Sequence, residues 1–152
     1  MGMWEDTYNQ ALDRGSLLEG SFINDATGQA VLAVDVSYVD GFTVPMVCEC
    51  NNQVVLGCNL DLHEVCPDNL KVNEKTCANP YREQSGRPGD ANIFKDCEKM
   101  AYTYPTDDEA TKWNIPGCSR NLMCCIGTAC KNHPGQVKCP GAVGQTQPCG
   151  GS

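Results

Sequence analysis

Cysteine is the residue type in this sequence with the greatest capacity for chemistry. The chain has 152 residues and 12 cysteines, all of which follow residue 47. Thiols at this density can form disulfide bridges, bind zinc or act as nucleophiles. An even number of cysteines is typical of a disulfide framework made in an oxidising compartment. We therefore predict a secreted, extracellular protein whose disulfide bonds are formed by Cys48, Cys50, Cys58, Cys66, Cys77, Cys97, Cys118, Cys124, Cys125, Cys130, Cys139 and Cys149.

The spacing of the cysteines leaves their pairing open, with one restriction. Adjacent Cys124 and Cys125 are expected to bond to different partners, because a bridge between neighbours would be strained. A zinc site fits less well, since no CxxC pair occurs and His63 and His133 are not spaced as a ligand pair. A nucleophilic cysteine would have to be reduced and lie beside a histidine. We expect neither a metal ion nor a cofactor.

Composition and charge limit the kinds of molecule that the chain is expected to bind. The formal net charge is −8, which opposes the attraction to phosphate that supplies most nucleic-acid affinity. No run of 18 apolar residues is present for a membrane span, and the first six residues lack the features of a signal peptide, which we expect to have been removed. The length fits a single domain over residues 1–152. We expect a monomer that binds no nucleic acid and does not cross a membrane.

Apolar patterning in the first third of the chain predicts strands. Residues 16–23 and 29–38 are short apolar runs separated by turn residues, the pattern of two strands joined by a turn. Alternation along the second run places Val36 and Tyr38 on one face and Asp35 on the other. Asp40 precedes a glycine and predicts a tight turn at the end of this strand.

The rest of the chain gives weaker signals. Residues 4–14 suit a short helix or a disordered lead-in, and residues 42–47 suit an edge strand or a bulge because they contain Pro45. Apolar residues at three- and four-residue spacing predict a helix over residues 90–104. Residues 116–152 are rich in cysteine and turn residues and poor in apolar runs, so we predict loops tied by disulfides.

Four segments carry a resemblance to a known family. They are DVSYVDGFTVPM at 35–46, SLLEGSF at 16–22, CNLDL at 58–62 and FKDCEKMAYTYPTDD at 94–108. Across residues 16–110 the sequence resembles the thaumatin-like proteins. The resemblance implies an all-β fold with a β-sandwich or barrel core, disulfide-rich loops, one short helix and an acidic cleft. A typical member has further core strands ahead of this match, so the chain looks like a member truncated at its N-terminus.

The resemblance also implies which carboxylates line the cleft. Glu19, Asp35 and Asp40 match its acidic residues, and Asp107 and Asp108 are further candidates for ligand binding, whereas the family's cleft arginine has no counterpart here. Such carboxylates can act as acid and base in glycoside hydrolysis when one is protonated and another ionised, at about 5.5 Å for retention or about 6.5–9.5 Å for inversion. We predict no catalytic residue firmly, and keep the first three as candidates.

Each candidate also has a purely structural explanation. An aspartate before glycine suits a turn whatever the function, Asp35 lies on a strand where aspartate is disfavoured, and Glu19 suits a solvent-facing position. Aromatic rings that could stack on sugars, or simply fill the core, are Tyr38, Phe42, Tyr102, Tyr104 and Trp113.

Three functions are compatible with the sequence. The overall size and the short N-terminus resemble a secreted, hypersensitive-response-inducing elicitor of a plant-pathogenic fungus, which would act on a plant cell-surface component without catalytic turnover. The first alternative is a protein that binds cell-wall β-1,3-glucan or hydrolyses it weakly at the acidic cleft. A further alternative is an antifungal protein, against which the acidic net charge argues.

Overall fold

A computed structural model of the chain describes residues 2–5, 14–22, 31–84, 93–118, 122–127 and 130. Nine strands occur within these ranges, all of seven residues or fewer. They are β1 (Gly2–Glu5), β2 (Ser16–Phe22), β3 (Val31–Ser37), β4 (Gly41–Phe42), β5 (Met46–Cys50), β6 (Gln53–Cys58), β7 (Cys77–Ala78), β8 (Lys112–Trp113) and β9 (Met123–Ile126).

The strands form three antiparallel sheets in the described part of the chain. The largest has the order β1-β2-β3-β8, the second has the order β6-β5-β9, and the smallest pairs β4 with β7. Two short 3₁₀ helices, Ile93–Cys97 and Asp108–Ala110, also occur in the described ranges. The all-β, disulfide-rich fold class predicted from the sequence is therefore confirmed.

Strands β2 and β3 confirm the prediction of two strands in the first third of the chain. They pair with each other in antiparallel register, and the residues that join them lie outside the described ranges. The predicted alternation along β3 is also confirmed, since Val34, Val36 and Tyr38 are fully buried while Asp35 is only half-buried. One face of β3 therefore packs into the core, whereas Ala33 and Asp35 on the other face are partly exposed and Ser37 is buried.

One hydrophobic core is shared by the three sheets. Strands β2 to β7 all contribute members to it, and Phe94 of the first 3₁₀ helix joins them. Tyr38 and Phe42 lie at its centre with their ring centroids 5.2 Å apart in an edge-to-face arrangement. The Tyr38 hydroxyl donates to the Cys58 carbonyl at 3.1 Å and accepts from the Met46 N–H at 3.0 Å. A single buried side chain thus links three segments of the core.

Close backbone packing explains one glycine of this core. Gly57 of β6 has a φ of 97°, in the region that favours glycine, and its N–H donates to the Met100 carbonyl at 2.6 Å. A Cβ atom at this position would collide with the Met46 carbonyl oxygen on β5. The absence of a Cβ atom at Gly57 lets strands β5 and β6 and the segment around Met100 approach each other.

Ten cysteines lie among the described residues and all ten are paired. The bridges are Cys48–Cys124, Cys50–Cys118, Cys58–Cys97, Cys66–Cys77 and Cys125–Cys130. Adjacent Cys124 and Cys125 bond to different partners, as predicted. The predicted participation of Cys139 and Cys149 lies outside the described residues.

The predicted helix over residues 90–104 was wrong in type and length within the described residues. Only Ile93–Cys97 is helical, as 3₁₀ turns, and residues 90–92 lie outside the described ranges. Lys99 has a φ of 68°, which ends any regular helix there. The spacing of Phe94, Cys97 and Ala101 still reflects burial, because all three side chains lie in the core. Nowhere in the described ranges does a helix reach the length and apolarity needed to span a membrane.

Two loop predictions also need correction. Within residues 116–152, predicted as loops, Met123–Ile126 forms strand β9 on the edge of the second sheet. Trp4 and Glu5 belong to strand β1 instead of a helix or a disordered segment, while residues 6–13 lie outside the described ranges. The segment predicted as one strand over 42–47 is divided, since β4 ends at Phe42 and β5 begins at Met46 after Pro45.

Candidate functional site

Two of the predicted cleft carboxylates face each other on the largest sheet. Glu19 of β2 and Asp35 of β3 are directly opposed in the antiparallel register. Opposed residues project to the same side of a sheet with their Cβ atoms about 4.5–5.5 Å apart. Because Val34 and Val36 enter the core, the intervening Asp35 points to the outer side. Glu19 is exposed and Asp35 is half-buried.

The environment of Asp35 makes it a weaker acid than an ordinary aspartate. Burial raises the pKa of its carboxyl to about 6, and the charge of Glu19 adds to that effect. In mildly acidic solution much of Asp35 is therefore protonated and can donate a hydrogen bond, whereas at neutral pH it is an acceptor only. The pair can present a donor and acceptors to a ligand within one small area.

Tyr102 borders this pair at one end of β3. It forms an isolated parallel bridge with Ser37, in which its N–H donates to the Val36 carbonyl and its carbonyl accepts from Tyr38. Partners in such a bridge project to the same side, so the Tyr102 ring lies on the side of Asp35. The charge of Asp35 contributes to raising the pKa of the Tyr102 phenol, although burial of the phenol is the main cause.

The Tyr102 hydroxyl is held by two neighbours. It donates to Oδ1 of Asp108 at 3.2 Å and lies 2.7 Å from Oγ1 of Thr111. Since a phenol has a single proton, the bond to Asp108 leaves Thr111 as the donor to Tyr102. The ring is therefore fixed in orientation by a short hydrogen-bond chain.

Trp113 borders the pair at the other end of β3. It is the antiparallel partner of Ala33, two residues before Asp35, and its side chain is 68% exposed. The preceding residue, Lys112, projects to the other side, where its ammonium donates to the carbonyls of Lys99 and Glu109. We call the outer surface formed by Glu19, Asp35, Tyr102, Asp108 and Trp113 the acidic face.

Asp40, the third candidate, has a partner of its own. Its Oδ1 lies 2.9 Å from Nε of Arg82, and both side chains are about one-third exposed. The structure thus brings Glu19 and Asp35 together and gives Asp40 an ion pair next to the turn that was predicted at Gly41. Nothing in the sequence pattern points to Arg82 as that partner. A ligand-binding role for Asp40 stays a prediction.

Asp107 and Asp108 are neighbours in sequence with different environments. Asp107 is 2% exposed, and its Oδ2 accepts from the backbone N–H groups of Lys99 and Thr103 and from the Thr103 hydroxyl. Burial raises its pKa, and these hydrogen bonds oppose that effect. Asp108 is exposed and contacts Tyr102. Their predicted binding roles are untested, but the surroundings of Asp107 are those of a structural clamp.

The aromatic candidates also differ in burial. Tyr38 and Phe42 are fully buried and serve the core, whereas Trp113 offers an exposed ring. The sequence did not distinguish Trp113 and Tyr102 from these two core residues. It also gave no indication that Thr111 forms a hydrogen bond with Tyr102. In the described ranges no group of three or more histidine, cysteine, aspartate or glutamate side chains is placed to hold a metal ion.

Comparison with known proteins gives relatives of one kind. "Pathogenesis-related 5 protein Jun a 3.0101" of Juniperus ashei is 30% identical over 106 residues, which cover 60% of this chain and 47% of the relative. "Pathogenesis-related 5 protein Cup a 3" of Hesperocyparis arizonica has the same identity, with 53% of its length covered. "Pathogenesis-related thaumatin-like protein 3.8" of Cryptomeria japonica is also 30% identical, with 47% covered.

The similarity has a limited extent. The chain spans about half the length of these curated relatives, and no family model matches it. Similarity to thaumatin-like pathogenesis-related proteins agrees with the resemblance seen in the four sequence segments and with the all-β, disulfide-rich fold.

Proposed function

We propose that this chain is a secreted thaumatin-like protein and that its acidic face binds β-1,3-glucan of cell walls. The observation that carries the proposal is the direct opposition of Glu19 and Asp35 on a sheet face that also bears the exposed Trp113. Secretion is supported by five disulfides, which persist in oxidising compartments. The named relatives support the family.

Sugar recognition needs the two kinds of group that this face combines. Carboxylates accept hydrogen bonds from sugar hydroxyls, and these charge-assisted bonds are the stronger kind. A protonated Asp35 would add a donor in mildly acidic solution. The flat indole of Trp113 offers apolar area to the C–H face of a sugar ring. A neutral polysaccharide can satisfy all of these groups without bringing a charge of its own.

The open setting of the face favours binding over turnover. Glycoside hydrolysis benefits from a site that holds two carboxyl groups on either side of the scissile bond and keeps the sugar in a distorted geometry. Glu19, Asp108 and Trp113 are all exposed, so the described part of the face is in contact with solvent. Recognition without hydrolysis agrees with this exposure.

Titration with laminarin tests the proposal. Wild-type protein with intact disulfides should bind, and Glu19→Gln, Asp35→Asn and Trp113→Ala should each weaken binding by about threefold to tenfold, the loss expected for one hydrogen bond or one ring contact. Asp68→Asn is the matched control, because Asp68 is an exposed carboxylate paired with Lys71 away from the face. Equal affinity in all five proteins would refute the proposal.

Reducing-sugar release in the same samples separates binding from catalysis. We expect no turnover from the wild type. Release of reducing ends that disappears in a folded Asp35→Asn variant would instead make Glu19 and Asp35 an acid and base pair.

A second candidate function is that of a fungal elicitor that triggers plant defence or cell death. It rests on the resemblance in size and short N-terminus noted in the sequence, and a framework of disulfide bridges would help the protein persist outside the cell. Infiltration of oxidised protein into leaves should cause electrolyte leakage, and reduced, alkylated protein should not. Leakage that persists in the Glu19→Gln and Asp35→Asn variants would assign the response to another surface. Absence of leakage from folded protein would remove this candidate.

A further inference from the structure

Side chains along the outer side of β3 meet three different neighbours at regular intervals. Ala33 is opposed by Trp113, Asp35 is opposed by Glu19, and Ser37 is bridged to Tyr102. Successive positions on one side of a strand are about 6.6 Å apart, so the two ends of this series are separated by about 13 Å. The acidic face is therefore ordered along the strand as indole, carboxylates and phenol.

The two rings lie along the same edge of β3. Strand β2 occupies one edge, while β8 and Tyr102 occupy the other. Glu19 thus stands on the opposite edge from both rings, with Asp35 between the two edges. An elongated ligand that contacts both rings would run parallel to β3 and pass beside Asp35.

Small residues separate the rings from one another. Ala33 lies beside Trp113, and Ser37, which lies beside Tyr102, is only 6% exposed. The Ser37 hydroxyl accepts from the Val39 N–H at 3.3 Å, which directs it toward the backbone. Neither of these side chains rises between the rings. Thr111, two residues before Trp113 and hydrogen-bonded to Tyr102, lies between the rings on their own edge, and Asp35 lies beside this path on β3.

Tyr102 is oriented before any ligand arrives. Its hydroxyl bonds to Asp108 and Thr111, so the ring has little rotamer freedom left to lose on binding. Trp113 has no comparable restraint among the contacts described for it, and its ring is largely exposed. The two ends of the series thus differ, with one fixed ring and one that is free to adjust.

From this arrangement we propose that Trp113 and Tyr102 are the two ends of a linear binding stripe along β3, which fixes the direction of a bound glucan and makes affinity depend on its length. The inference rests on the proposed β-1,3-glucan binding and adds the specificity-determining residues. Thr111 is a positioning residue in this scheme, because its hydroxyl holds the Tyr102 hydroxyl in place.

Laminari-oligosaccharides of increasing length test the stripe. The sequence contains two tryptophans, so a Trp4→Phe background leaves Trp113 as the single indole reporter for fluorescence titration. Affinity should rise with oligosaccharide length until the ligand contacts both rings, and then level off. Tyr102→Ala should remove this rise, costing roughly threefold to tenfold for long ligands and leaving the shortest ligands unaffected.

Two further variants separate ring contact from positioning. Tyr102→Phe keeps a ring but removes both hydrogen bonds of the Tyr102 hydroxyl. Thr111→Val keeps the ring and removes one of these hydrogen bonds. Both variants should therefore lose less affinity for long ligands than Tyr102→Ala. Tyr104→Ala is the matched control, since Tyr104 is a half-buried tyrosine of the same segment and is not one of the residues that define the acidic face. Thermal unfolding of each variant verifies that the fold is retained.

The possible outcomes distinguish the two proposals. Binding of laminarin with no dependence on length, or a length dependence that survives Tyr102→Ala, overturns the stripe and leaves glucan binding in place. No binding of laminarin or of any oligosaccharide by folded wild type overturns both. Loss of the length dependence in Tyr102→Ala together with its retention in Tyr104→Ala supports the stripe.

Discussion

Replacement of Asp35 by asparagine is expected to stabilise the protein at neutral pH. The folded state holds the Asp35 proton up to a pKa of about 6, whereas an unfolded aspartate loses it near 3.8. Between pH 3.8 and about pH 6 the native state therefore binds more protons than the unfolded state. The contribution of Asp35 to the free energy of unfolding consequently falls as pH rises. Above pH 6 the ionised carboxyl destabilises the fold, and below pH 4 it does not.

The size of this effect follows from the two pKa values. At about 1.36 kcal/mol per pKa unit the difference corresponds to about 3 kcal/mol. Because Asp35 is only half-buried, solvent screening reduces this figure to about 1–1.5 kcal/mol. For a chain of this length such a gain raises Tm by about 2–6 °C.

Urea unfolding at several pH values, with disulfides intact, measures the effect. The midpoint of Asp35→Asn should exceed that of the wild type at pH 7, and the two should converge near pH 4. Asp68→Asn serves as a control at an exposed site, where the bond to Lys71 lowers the pKa of the Asp68 carboxyl. A lower midpoint for Asp35→Asn at pH 7, or a gain that does not depend on pH, would contradict the reasoning.

Three other substitutions test the packing beneath the face. Tyr38→Phe leaves a buried N–H of Met46 and a buried carbonyl without their partner, so unfolding measurements should show a loss of about 2–3 kcal/mol. Asp107→Ala removes the acceptor of three hydrogen bonds, two of them from Thr103, and should cost about 2–4 kcal/mol in the same assay. Gly57→Ala should prevent recovery of oxidised, folded protein from refolding, because its Cβ collides with the Met46 carbonyl; normal yield would be evidence against the close approach of β5 and β6.

Features of the fold that depend on short-range pattern were predictable. Alternation predicted that Val36 and Tyr38 share one face of β3 and that Asp35 lies on the other, since a period of two follows directly from strand geometry. The resemblance placed Glu19 and Asp35 in one site, and the register of β2 and β3 shows that they are directly opposed. The different partners of Cys124 and Cys125 followed from covalent geometry alone.

Features that depend on long-range contacts were not predictable. The spacing of Phe94, Cys97 and Ala101 suggested a helix, but the bridge from Cys97 to Cys58 and the backbone at Lys99 bury the same residues in an irregular segment. Strand β9 was missed because four residues containing two cysteines have no clear period of their own.

The convergence of Trp113 and Tyr102 on Asp35 also has no local signal. It depends on a strand of two residues and on one isolated bridge. Both contacts arise from how the chain returns to the edge of β3, which no window of sequence reveals.

The bridges of strand β5 impose an order on biosynthesis. Cys48 and Cys50 find their partners 76 and 68 residues later, at Cys124 and Cys118. If the chain is secreted as proposed, synthesis at about 5–20 residues per second leaves both thiols in the oxidising compartment for roughly 3–15 s before a native partner emerges. Cys58 and Cys66 appear during that interval and can capture them in non-native bridges. We therefore expect disulfide isomerases to act on the thiols of Cys48 and Cys50 in the nascent chain. The native bridges can form once Cys118 and Cys124 have emerged.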